Sequence, residues 1–143
     1  MIRSKRRRGF SLIELLLVLA ILGIISAIAI PMFTGQRTRA RVIGDAIANA
    51  KTLQMGLESR KADSGTYGVA GTTYGWKADG SDATGPALIP TFQPSGNSKM
   101  NYSVTVDGGG LTYILTVTDP SIGSGVTAYQ TNQLGQELAK YQQ

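Results

Sequence analysis

The sequence predicts an α+β chain: one long N-terminal helix, membrane-spanning in its first half and amphipathic in its second, packed on a C-terminal antiparallel sheet of three to four strands. Three observations predict it. Residues 10–33 carry a single charge, Glu14; apolar positions from Ile43 to Leu57 recur at three- and four-residue steps; and apolar and polar residues alternate from Met100 onward. The 143 residues suffice for one packed core plus an extended element, not for two domains.

The apolar stretch comes first. As a helix of about 24 residues rising 1.5 Å per residue it reaches roughly 36 Å, more than the ~30 Å of a bilayer's hydrocarbon core. Arg3, Lys5, Arg6, Arg7 and Arg8 precede it and favour a cytoplasmic N-terminus, a bias weakened by Arg37, Arg39 and Arg41 on the far side. Those five leader cations account for the whole formal charge of +5, because without them nine Lys and Arg balance nine Asp and Glu. The basicity therefore belongs to residues 1–9 and does not by itself announce a nucleic-acid partner.

Three readings compete for residues 10–33: a plain membrane anchor, a secretory signal with an A-x-A site at Ala27-Ile28-Ala29, and an anchor with a further role. Secretory apolar regions run about 7–15 residues, which argues against the second. Glu14 separates the other two, since a carboxylate deep in a spanning helix costs about 2.5–3.5 kcal/mol and calls for a partner, unless it simply sits at headgroup depth.

The string Gly9-Phe10-Ser11-Leu12-Ile13-Glu14, preceded by Arg and Lys and followed by aliphatics, is similar to the class III signal of type IV prepilins and their pseudopilin relatives. The resemblance implies cleavage after Gly9 on the cytoplasmic face, N-methylation of Phe10, and an assembly role for Glu14. It implies as partners a prepilin peptidase that is also the N-methyltransferase, an inner-membrane assembly platform, membrane lipid before assembly and other pilin subunits after it; binding of nucleic acid stays open. The implied location is the bacterial inner membrane, single-pass with the N-terminus inside, and then an extracellular pilus. Side-chain-free Gly9 lets a protease approach the backbone, and leader removal allows the new terminus to enter an apolar environment. There the Phe10 amine and the Glu14 carboxylate each require an opposite charge.

Gly23 and Pro31 mark the weakest interval of the helix, because proline lacks an N–H and clashes with the carbonyl of Ala27. The resemblance implies a helix continuous in the free subunit and partly melted between them in a filament; an ordinary tolerated Gly and Pro is the alternative. Over residues 34–65 the helix becomes amphipathic, with Ile43, Ile47, Ala50, Leu53 and Leu57 as its stripe and Gly65 as its stop. Arg37, Arg39 and Arg41 read better as a solvated or headgroup-facing run than as a nucleic-acid patch.

Residues 66–98, rich in Gly, Pro, Thr and Ser, read as a long loop with at most one short strand or turn. In it Tyr74 and Trp76, with Tyr67, are candidates for surface recognition, packing being the favoured reading. Asp79 and Asp82 are better explained by a polar turn than by Ca²⁺, so no metal site is expected. In residues 99–143, Met100, Tyr102, Val104 and Val106 alternate up to the Gly108-Gly109-Gly110 turn, then Leu111, Tyr113, Leu115 and Val117 alternate back, and Val126 to Thr131 forms a third strand.

With no Cys and no His, the usual zinc sites, thiolate nucleophiles and imidazole bases are excluded, so neither an enzyme nor a cofactor is expected. The lack of Cys also departs from the many pilins that staple their C-terminal region with a disulfide. Major pilin, minor pilin, secretion pseudopilin and a non-polymerising membrane-anchored binding module all stay open. The missing acidic C-terminal loop tilts the reading toward a pilin for adhesion, twitching motility or DNA uptake.

Overall fold

The computed structural model describes residues 9–78, 84–93 and 99–141. The basic residues before Gly9, and Asp79 and Asp82, lie outside them. The chain forms two compact units, Met1–Thr38 and Arg39–Gln143. Helix α1, Leu12–Ser64, contributes to both and runs without a break through Gly23 and Pro31.

In the second unit the strands β1 (Thr73–Trp76), β2 (Asn101–Val106), β3 (Tyr113–Thr118), β4 (Thr127–Asn132) and β5 (Glu137–Lys140) form one antiparallel sheet in chain order. A short helix α2, Thr84–Leu88, lies between β1 and β2, and a 3₁₀ turn, Pro120–Ile122, follows β3. The sheet has five strands where sequence pattern predicts three to four. Both additional strands sit at its edges. β1 is only four residues long and contains a glycine, so it shows no period of its own; the ladder from Thr73↔Thr105 to Trp76↔Tyr102 supplies its order. β5, Glu-Leu-Ala-Lys, has a helix-favouring composition, and it becomes a strand through pairing with β4 across a turn whose Gly135 adopts φ 73°.

β2 and β3 follow the predicted alternation closely. Tyr102, Val104, Val106, Tyr113, Leu115 and Val117 face one buried core. Leu111 belongs instead to the exposed turn, where Gly110 takes φ 73° and donates its N–H to the Asp107 carbonyl at 3.1 Å.

Against the sheet, α1 buries Val42, Ala46, Asn49, Ala50, Leu53, Gln54 and Leu57. Ala50, Leu53 and Leu57 of the expected stripe are buried, whereas at its N-terminal end Val42 and Ala46 take the buried positions and Ile43 and Ile47 lie at the flank. Two alanines with no exposed surface let the helix backbone approach the sheet, and the polar Gln54 in this face is used: its Nε2 donates to the Asn132 carbonyl at 3.0 Å. The helix stops as its sequence predicts. Gly65 takes φ 80° and donates its N–H to the Lys61 carbonyl at 2.8 Å.

Candidate functional site

The N-terminal segment is a helix that buries none of its large apolar side chains among the described residues. Every large apolar side chain from Phe10 to Phe33 is exposed, from 47% at Val18 to 83% at Phe10. The helix is long and apolar enough to cross a membrane, and its most apolar stretch has no buried residue. Large hydrophobic surfaces are stable only against lipid or protein.

Gly9 and Phe10 lie just before the start of this helix and Glu14 in its first turn. Ser11 precedes α1, its carbonyl accepting from Leu15 N at 3.2 Å, and its own N–H donates to Glu14 Oε2 at 3.2 Å. Glu14 is the third residue of the helix, so its carboxylate closes one half of a capping box by satisfying a donor that the helix cannot. Ser11-x-x-Glu14 is the sequence signature of that motif, and it accounts for the carboxylate's position independently of any role between chains.

Further along, Pro31 removes one backbone donor inside α1. Thr34 Oγ1 donates to the Ile30 carbonyl at 3.0 Å and Thr38 Oγ1 to the Thr34 carbonyl at 3.2 Å. Both hydroxyls are satisfied within the helix, which suits them to an apolar medium.

In the second unit, Tyr74 and Trp76 lie in the core and present no recognition surface. β1 directs both toward the buried face, leaving them 9% and 6% exposed. The Tyr74 hydroxyl accepts from Val69 N at 3.0 Å, and the Trp76 ring meets Phe92 edge-on at 5.6 Å, which in turn meets Tyr102 at 5.3 Å. Gly85 of α2 lies so close over the indole that a Cβ there would collide with it. Packing, not display, explains these aromatics.

Tyr67 ties the end of α1 to the sheet. Its hydroxyl donates to Glu58 Oε1 at 2.7 Å and accepts from Lys61 Nζ at 3.4 Å, while its ring packs edge-on against Tyr113 at 4.7 Å. Burial first, and the Glu58 bond second, raise the Tyr67 hydroxyl well above the ordinary phenol range; burial pushes Tyr113 up to about 12. Both hydroxyls remain protonated at any physiological pH. Among the described residues no three Asp or Glu side chains cluster as metal ligands would.

Comparison with known proteins places these features. Residues 4–30 match the prokaryotic N-terminal methylation motif. The chain is 41% identical over 64 residues to the type IV major pilin protein PilA of Myxococcus xanthus, an alignment covering 45% of this chain and 29% of that protein. It is 30% identical over 117 residues to the fimbrial protein EcpC of Eikenella corrodens, covering 82% and 65%. It is also 32% identical over 66 residues to the type II secretion system core protein G of Klebsiella pneumoniae, covering 44% of each. The matched region spans less than two thirds of each of these relatives. No solved structure matches the chain.

Proposed function

We propose that this chain, which carries the prokaryotic N-terminal methylation motif and is similar to type IV pilins and to a type II secretion core protein, is a structural subunit of a type IV pilus filament. The observation that carries the reading is the uncovered apolar helix placed directly after the Gly9–Glu14 motif. Such a surface must always have a cover. Lipid supplies it in the inner membrane before assembly, and neighbouring subunits supply it afterward.

The order of events follows from charge. The leader's five cations hold the N-terminus at the cytoplasmic face, cleavage after Gly9 by a prepilin peptidase removes them, and methylation leaves the Phe10 amine cationic. That amine can leave the headgroup region only if a carboxylate compensates it, and Glu14 is the sole acidic residue of the apolar segment. The role is mechanical and requires no catalysis.

Mass spectrometry of sheared surface filaments tests the reading. The expected subunit begins at N-methylated Phe10, and Gly9→Val leaves an uncleaved precursor in the membrane fraction. Cleavage after Ala29, or no cleavage at all, overturns the prepilin assignment. If the protein is processed but absent from surface filaments, it is a pseudopilin or an anchored module.

The similarity to a secretion core protein supports the pseudopilin alternative. Deletion separates the two. Loss of surface filaments with secretion intact marks a pilin, and the converse marks a pseudopilin.

A further inference from the structure

The apolar stretch of α1 gives way at once to a basic one. After the exposed Met32 and Phe33, residues 34–41 read Thr-Gly-Gln-Arg-Thr-Arg-Ala-Arg, and the helix runs through the change without a break. Thr34 and Thr38 spend their hydroxyl protons on the carbonyls of Ile30 and Thr34, which leaves the outward donors here to the arginines and Gln36. The Arg41–Asp45 ion pair is long at 3.9 Å and leaves the arginine side chain 65% exposed.

Depth along the helix limits what these arginines can meet. From Glu14 to Arg37 the helix advances about 35 Å, so with Glu14 at one edge of a ~30 Å hydrocarbon core Arg37 lies just past the other. Side chains on a helix lean toward its N-terminus, so Arg37, Arg39 and Arg41 lean back toward the apolar stretch, and their long stems carry the guanidinium groups into the headgroup layer.

Direction around the axis separates one partner from another. Arg37 and Arg41 share a side of the helix, whereas a two-residue step turns about 200°, which sets Arg39 on the opposite side. Arg37 and Arg41 are accordingly exposed, and Arg39 is partly covered. A nucleic-acid strand or a protein surface meets a helix on one side. A lipid interface surrounds it, and its phosphates accept the paired N–H groups of a guanidinium.

We infer that Arg37, Arg39 and Arg41 form a collar that binds the phosphates of anionic phospholipid headgroups. The net negative charge of such lipids favours them over zwitterionic ones beside a basic segment. The inference rests on the membrane-anchor part of the reading above, and it depends neither on polymerisation nor on which side of the membrane the collar occupies.

The test uses the full chain with Gln36→Cys, a unique attachment point for a fluorophore because the sequence has no other cysteine. The labelled chain is reconstituted into phosphatidylcholine vesicles at physiological salt. Equal small fractions of phosphatidylglycerol or phosphatidylcholine, each spin-labelled at the top of its acyl chain, then serve as quenchers. Phosphatidylglycerol should quench roughly fivefold more strongly or better. Combining Arg37→Gln, Arg39→Gln and Arg41→Gln should abolish the preference, and Arg39→Gln alone should lower it as Arg37→Gln alone does. The leader's cations precede the span and are common to all variants, so they do not enter the comparison. Equal quenching by the two lipids in the unmodified chain, a preference that survives in the triple variant, or an effect of Arg37→Gln without one of Arg39→Gln overturns the collar. A preference that inorganic phosphate abolishes at constant ionic strength also overturns it, by assigning the arginines to free phosphate. A chain that does not float with the vesicles, or that neither lipid quenches, overturns the membrane-anchor reading itself and the collar with it.

Discussion

One carboxylate oxygen of Asp107 accepts from both Leu111 N at 2.9 Å and Thr112 N at 3.0 Å, while its backbone N–H donates to the Thr112 carbonyl and its carbonyl accepts from Gly110 N and Gly71 N. This residue organises the whole β2–β3 turn. The backbone bond from Thr112 is the main cause that holds its carboxyl below the ordinary carboxylate range. A depressed folded pKa means that the charged form favours the fold: the contribution is complete above the unfolded value of roughly 3.9 and is lost as pH falls through the folded value. Asp107→Ala should therefore unfold at lower urea than the unmodified chain at pH 7, and the gap should narrow as the pH is taken below 4. Asp107→Asn keeps an acceptor and should lose less. A gap that does not change with pH would show that the charge contributes nothing. None of this was legible beforehand, because in the sequence Asp107 is only the polar residue that closes an alternating run.

At the scale of elements, what could be read depended on whether the ordering forces were local. β2 and β3 were legible because a two-residue period and a triple-glycine turn lie within one stretch of chain, and the long helix because its period persists to Gly65. β1, α2 and β5 were not, because their order comes from partners far along the sequence. Trp76 illustrates the difference: its neighbours Gly85, Phe92 and Tyr102 come from α2, the segment after it and β2. Substituting Trp76 by Ala should destabilise the second unit by about 3–5 kcal/mol, the usual cost of removing a large buried aromatic. Gly85→Val should undock α2 by driving a Cβ into the indole. Thermal unfolding followed by circular dichroism measures both, and a Trp76→Ala protein that melts normally would contradict the burial described above.

For the molecule as a whole, on the filament-subunit reading proposed above, exchanging lipid for neighbouring subunits brings little hydrophobic gain, since acyl chains are as apolar as leucine; close packing and charge pairing must then favour the filament. On that reading the difference concentrates at Glu14, whose motif was legible in sequence while its local bond was not. In the single chain the carboxylate caps its own helix at Ser11 N, so a defect on removing it could come from a lost cap or from an uncompensated Phe10 amine. Two substitutions separate these causes. Glu14→Val removes cap and charge, yet it also removes a group costing about 2.5–3.5 kcal/mol within a bilayer, more than the ~0.3–1.5 kcal/mol of a cap, so membrane levels should not fall. Glu14→Gln keeps a side-chain acceptor that can complete the same capping box, and it abolishes only the charge. Leaving a buried charge unpaired costs about 3–5 kcal/mol, which at ~1.4 kcal/mol per tenfold lowers incorporation by two or more orders of magnitude. Both variants should therefore reach the membrane and both should fail in sheared-filament yield when the native copy is absent. If Glu14→Gln assembles normally while Glu14→Val does not, the carboxylate acts as a helix cap alone and the charge-pair account of assembly fails.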